Sequence, residues 1–120
     1  MSRDWLLFLD DLINSAQKIA RMTEGLSAEA LAADETAFDA VLFNLQVIGE
    51  AIKAFPSSAL EQLSPRHRSA PARLRDLIAH RYFAIDPDII WDAASQHVPA
   101  LLAEALALRS SAEASKEDPD

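Results

Sequence analysis

Cysteine is absent from the 120-residue chain, and glycine occurs only twice. Without thiols there is no disulfide framework, no thiol nucleophile and no thiolate metal site. No HExxH pair, phosphate-cradling glycine loop or nucleophile-elbow serine is present, so neither a metal nor a cofactor is expected. No uninterrupted apolar run approaches the roughly 20 residues of a membrane helix, and the amphipathic segments are acidic, which disfavours an anionic bilayer surface. The opening MSRDWLLFLDDL breaks its short apolar run with aspartates and does not read as a signal peptide. A cytoplasmic chain with no membrane partner is expected. Few β-branched runs and two glycines leave little suited to sheet, whereas apolar residues recur at spacings of three and four. The expected class is all-α.

Half of the residues are hydrophobic, enough at this length for one continuous core. The first helix is predicted from Arg3 to Thr23, with Trp5, Leu9, Leu12, Ala16 and Ile19 or Ala20 inward and Gly25 as its stop. SAEALAAD adds a short turn. Asp34 caps a second long helix whose apolar face runs from Phe38 to Phe55, before Pro56 ends it. The three prolines of PSSALEQLSPRHRSAPA, residues 56–72, predict a connection with one helical turn inside. A third helix turns Leu74, Leu77 and Ile78 inward. A fourth starts at DPDIIW, with Asp86 as N-cap and Pro87 in the first turn, is kinked by Pro99, and ends near Leu108. Residues 1–108 are expected to form an antiparallel four-helix bundle that dimerises readily, and 109–120 a disordered acidic tail.

The formal charge of −8 argues against a polyanionic partner until its distribution is considered. Arg66, Arg68, Arg73, Arg75 and Arg81 fall within residues 66–81, where Asp76 is the only acid, so this strip carries a net +4. It is either a localised anion site or a set of ion pairs to neighbouring helices. His67, in PRHRS, belongs to it as a possible phosphate contact.

Within the strip, RDLIAHRY places Arg75, His80 and Tyr82 at one helix end. At about 100° per residue, Arg75 and Tyr82 lie within about 20° of one another, while His80 stands about 140° from Arg75. One straight helix cannot aim all three at one atom. Either the helix frays at His80, or a second copy completes the site across a two-fold axis, which is the expectation preferred here. Metal-free RNA cleavage needs a base for the 2′-hydroxyl, an acid for the leaving 5′-oxygen and fixed positive charge on the phosphorane. Histidine and arginine are those chemical types, although they also serve as a helix-end pair that bonds carbonyls. Asp76 either orients one of them or forms a plain surface ion pair. Glu50, after Gly49, is open to two readings, a buried carboxylate or a solvated one.

NLQVIGEAIKAF, RDLIAHRYFAIDPDIIW and HVPALL together resemble the HepT-like toxins of the HEPN superfamily. The resemblance rests on Arg75, His80 and Tyr82, on Phe83, Asp86 and Trp91 after them, and on Asn44, Gly49 and Glu50 before them. It implies a dimeric helical bundle with Arg75 and His80 as a metal-independent RNase site in the dimer cleft. It also implies a nucleotidyltransferase antitoxin that transfers AMP from ATP to Tyr82. The alternative is a non-catalytic subunit that docks such a nucleotidyltransferase without cutting RNA. Phe43 stands where an arginine is common in that family, and Ala72 where a tryptophan is.

Overall fold

The computed structural model describes residues 4–117, and these hold helices and short connections, with no strand among the described residues. In chain order they are α1 (Asp4–Thr23), α2 (Ala28–Ala33), α3 (Glu35–Ala54), α4 (Ser57–Leu60) and α5 (Pro65–Arg81). A 3-10 turn, Tyr82–Ala84, follows, then α6 (Pro87–Asp92), a π-helical turn (Ala93–His97) and α7 (Val98–Glu117). The all-α expectation holds. The predicted start of the first helix at Arg3 lies outside the described residues.

The helix ends follow the local chemistry. Gly25, at φ +77°, takes the left-handed conformation that ends α1. Ser27 Oγ accepts from the Ala30 N–H at 3.1 Å to start α2, and Asp34 Oδ1 accepts from the Ala37 N–H at 3.0 Å to start α3. Asp86 caps α6 in the same way through the Asp88 N–H, with Pro87 in the first turn as predicted.

Helix α3 lies at the centre, packed on α1 along one side and on α5 along the other, while α7 covers α1. Its apolar residues Val41, Leu42, Leu45, Ile48 and Ile52 meet Leu9, Leu12, Ala16 and Ile19 of α1 in one core. Trp5 closes one end against Phe55, the ring centroids being 5.6 Å apart and edge-on. Helices α3 and α5 run antiparallel: Lys53 meets Asp76, Glu50 meets Arg75, and Asp39 meets Tyr82.

Their contact is unusually close at one point. A Cβ placed on Gly49 would overlap the Cβ of Arg75 and lie 2.7 Å from the carbonyl oxygen of Pro71. Only the missing side chain lets the two backbones approach.

Three elements differ from the sequence reading. Helix α5 begins at Pro65, and not after residue 72, so most of the expected connection is helix. Pro65 occupies the first turn, where a missing N–H is harmless, and Pro71 inside the helix is tolerated because tertiary contacts outweigh one lost backbone bond. The disturbance expected at Pro99 is accompanied by the π turn just before it, which joins α6 to α7. Helix α7 runs to Glu117, where a disordered tail from 109 was expected. Alanine, glutamate and lysine favour helix, no breaker follows Leu108 before Pro119, and Arg109 Nε is 3.3 Å from Asp10 of α1 and 3.4 Å from Glu113.

Replacing Gly49 by alanine normally stabilises a helix by about 1 kcal/mol. Here it is expected to destabilise by about 1–3 kcal/mol, because the new methyl meets backbone and a side-chain root that cannot swing aside. Urea denaturation of Gly49→Ala reads the sign, and a variant as stable as the parent would contradict the close approach.

Candidate functional site

The residues of RDLIAHRY occupy the last two turns of α5 and the 3-10 turn after it. The helix does not fray at His80, since α5 continues through Arg81 and changes direction there. Arg75 faces α3. Its Nε lies against the Glu50 carboxylate, and Nη1 donates to Asp76 Oδ1 at 3.1 Å. Glu50 is exposed and paired, which settles its two readings: it is a surface carboxylate held by an arginine.

Asp76 is the link between the expected catalytic pair. Its carboxylate accepts from Lys53 Nζ at 2.5 Å and from Arg75, and these hydrogen bonds, Lys53 first, hold its pKa below the ordinary aspartate value. Its backbone carbonyl meets His80 Nδ1 at 2.7 Å. A carbonyl only accepts, so Nδ1 carries the proton, and in the neutral ring the exposed Nε2 presents a lone pair. This is the carbonyl bond of the plainer reading, and it fixes the orientation of the imidazole.

Arg75 and His80 nevertheless open onto different depressions. Arg75 lines a shallow one with Phe8, Phe43, Gln46 and Glu50, and His80 lines another with Arg81, Tyr82 and Phe83. On a straight helix the two stand about 140° apart.

Tyr82 faces α3 like Arg75. Its hydroxyl donates to Asp39 Oδ1 at 2.7 Å, and its ring stands edge-on to Phe83, with centroids 4.9 Å apart. The Asp39 hydrogen bond, then partial burial, then the charges of Asp39 and Glu35 raise the phenol pKa above 10.0. Phe83 is almost fully exposed beside it. Asp39, 43 positions from Tyr82, carries no signal in the sequence that would connect them.

The remaining arginines divide. Arg66, Arg73 and Arg81 are exposed. Arg68 donates from Nε to the Leu63 carbonyl at 3.0 Å and from Nη2 to the Glu61 carbonyl at 3.1 Å, tying α5 to the end of α4. His67 differs most from expectation. It is buried at 3% exposure inside α5, with Nδ1 2.7 Å from Glu104 Oε2 of α7. Glu104 also accepts from the Ser64 N–H at 2.7 Å and the Ser64 hydroxyl at 2.9 Å, and so caps α5 from outside. Burial acts to raise the Glu104 pKa, but the Ser64 and His67 contacts together hold it below the ordinary value. The three residues do not form a nucleophilic triad, because Ser64 and Glu104 both approach the same imidazole nitrogen.

No cluster of potential metal ligands occurs among the described residues, and no described helix is long and apolar enough to cross a membrane.

Residues 12–108, which include Arg75, Asp76, His80 and Tyr82, match the family model described as Ribonuclease HepT-like. The chain belongs to this HepT-like family of the HEPN superfamily. A Methanocaldococcus jannaschii protein provisionally named an RNase is 33% identical over 97 residues, which cover 81% of this chain and 80% of that protein. The probable ribonuclease HepT of Thermococcus cleftensis is 29% identical over 102 residues, 84% of this chain and 92% of its own length. A Caldanaerobacter subterraneus protein, also provisionally named an RNase, is 28% identical over 94 residues, 78% and 84% of the two chains. No solved structure gives a significant match.

Tyr82 is the only tyrosine, so phenolate absorbance reads it alone. Its raised pKa means that the hydrogen bond to Asp39 contributes to the folded state below the ordinary phenol pKa and is lost as pH rises through the higher folded value. Ultraviolet titration of Asp39→Asn is expected to move the midpoint back toward 10.0. Identical midpoints in parent and variant would contradict the Tyr82 to Asp39 contact.

Proposed function

We propose that this chain is a metal-independent endoribonuclease toxin, acting as a homodimer of antiparallel four-helix bundles and silenced by transfer of AMP to Tyr82. The nuclease reading rests on family membership together with one observation, the His80 imidazole held by the Asp76 carbonyl with Nε2 free. In the proposed reaction, His80 Nε2 takes the 2′-hydroxyl proton and the 2′-oxygen attacks the adjacent phosphorus. The 5′-oxygen leaves with a proton from His80 of a second copy, giving a 2′,3′-cyclic phosphate and a 5′-hydroxyl. Arg75 stabilises the charge on the phosphorane. The separate depressions that hold Arg75 and His80 favour a site completed across the dimer. Arg66, Arg73 and Arg81, all exposed, are the candidates for backbone phosphates, and Arg68 joins them only by leaving its two carbonyls.

The silencing step uses a nucleotidyltransferase partner. The Tyr82 oxygen attacks the α-phosphorus of ATP, pyrophosphate leaves, and the phenolic proton passes to Asp39, which already accepts it as a hydrogen bond. The adduct sets a phosphate at the end of α5, where it repels an RNA backbone.

A second reading, a nucleotidyltransferase-binding subunit that does not cut RNA, draws on the Arg75 guanidinium, which is already paired with Glu50 and Asp76, and on Phe43 in place of a further arginine.

The purified chain is expected to cleave single-stranded RNA in the presence of EDTA, with His80→Ala lowering the rate at least about 100-fold and Arg75→Ala lowering it strongly as well. Cleavage that His80→Ala leaves intact would reject the assignment, and its absence in a folded dimer would favour the second reading. Intact mass after incubation with the cognate nucleotidyltransferase and ATP is expected to rise by whole AMP units in the parent. The increment should vanish in Tyr82→Phe and accumulate more slowly in Asp39→Asn. An increment retained by Tyr82→Phe would place the modification elsewhere.

A further inference from the structure

At the opposite end of α5 from His80, the helix shares a cavity of ≈ 300 Å³ with α3, the π turn and α7. Its wall is mainly apolar, with Leu45, Ile48, Leu74 and Leu101 prominent, and Arg66 and His97 also line it. His67 is the deeply buried polar side chain in that wall. The Glu104 carboxylate can only accept, so the proton on the near edge of the ring sits on Nδ1. In the neutral ring Nε2, on the opposite edge, is then an acceptor, and it is buried with no hydrogen-bond partner among the described residues. A buried nitrogen of this kind calls for one polar atom.

Beside His67 the wall carries Arg66, Asp92 and His97 as polar residues and is otherwise apolar, and its volume exceeds the space of one water many times over. A molecule that is apolar over most of its surface and carries a single hydrogen-bond donor matches both halves of the wall. Ala93 and His97, the two ends of the π turn, also line the cavity, and such turns recur at functional sites.

We propose that this cavity binds a small heteroaromatic or alicyclic ligand with one N–H or hydroxyl group, which donates to His67 Nε2. The site is distinct from the Arg75 and His80 end and does not depend on the nuclease reading. It does share α5 with that end: Pro71, which lines the cavity, also places its carbonyl against Gly49.

Indole and 1-methylindole are suitable probes, since they share a shape and differ in the N–H. In long-range proton–nitrogen spectra of the 15N-labelled full chain, indole is expected to shift His67 Nε2 saturably while leaving His80 Nε2 in place. 1-Methylindole should bind roughly fivefold more weakly, the effect of one hydrogen bond. Ala70→Leu, which fills the cavity from an exposed position without touching the Glu104 contacts, should abolish the response and keeps the test open should His67→Phe fail to fold. A flat His67 signal up to the solubility of indole, equal binding of both probes, or a response that survives Ala70→Leu would each overturn the proposal. So would a His67 shift that follows protein dilution without ligand, which would assign the cavity to a second copy of the chain.

Discussion

The packing of α3 against α5 rests on the absence of one side chain. At Gly49 the backbone of α3 is open, and the root of Arg75 and the carbonyl of Pro71 occupy the space a methyl group would need. That approach sets the register of two antiparallel helices and with it every polar pair between them: Lys53 with Asp76, Glu50 with Arg75, Asp39 with Tyr82. A wider spacing would separate these pairs and draw Ile78 of α5 away from Ile48 and Ile52 of α3. The polar pairs at the end of α5 and the apolar layer beneath them therefore depend on the same glycine.

Much of the fold was legible because its signals are local. The spacing of Leu9, Leu12, Ala16 and Ile19, the caps at Asp34 and Asp86, and the stop at Gly25 act over a turn or two. Helix α5 was misread at its start because what holds Ser64 to Arg68 in a helix is distant: Glu104, 40 positions away, caps the first turn from α7. Three prolines between 56 and 72 suggested a loop, and only the tertiary cap and the harmless position of Pro65 make it otherwise. The C-terminal stretch beyond Leu108 lacks apolar periodicity, yet helix propensity and the pairing of Arg109 with Asp10 extend α7.

The candidate site shows the same division. Arg75, Asp76, His80 and Tyr82 stand within eight residues of one another, and helix geometry alone gives their angular separation. The acids that hold them, Glu50 and Asp39, come from another helix, and no spacing rule connects 39 to 82. His67 was placed among the surface cations by its neighbours Arg66 and Arg68, although its own environment is the interior. Charge runs identify a strip of chain, whereas the face each residue takes is decided by what packs above it.

The pairing of Arg75 has one more consequence. Its guanidinium already holds two carboxylates, Glu50 through Nε and Asp76 through Nη1. An anion that reached this position would meet a charge already balanced by two carboxylates, and would have to displace Glu50 to gain Nε. Toward such an anion Glu50 would be a built-in competitor, tethered at high effective concentration and half exposed. Such an arrangement would reward ligands that arrive with several phosphates in register over isolated small anions.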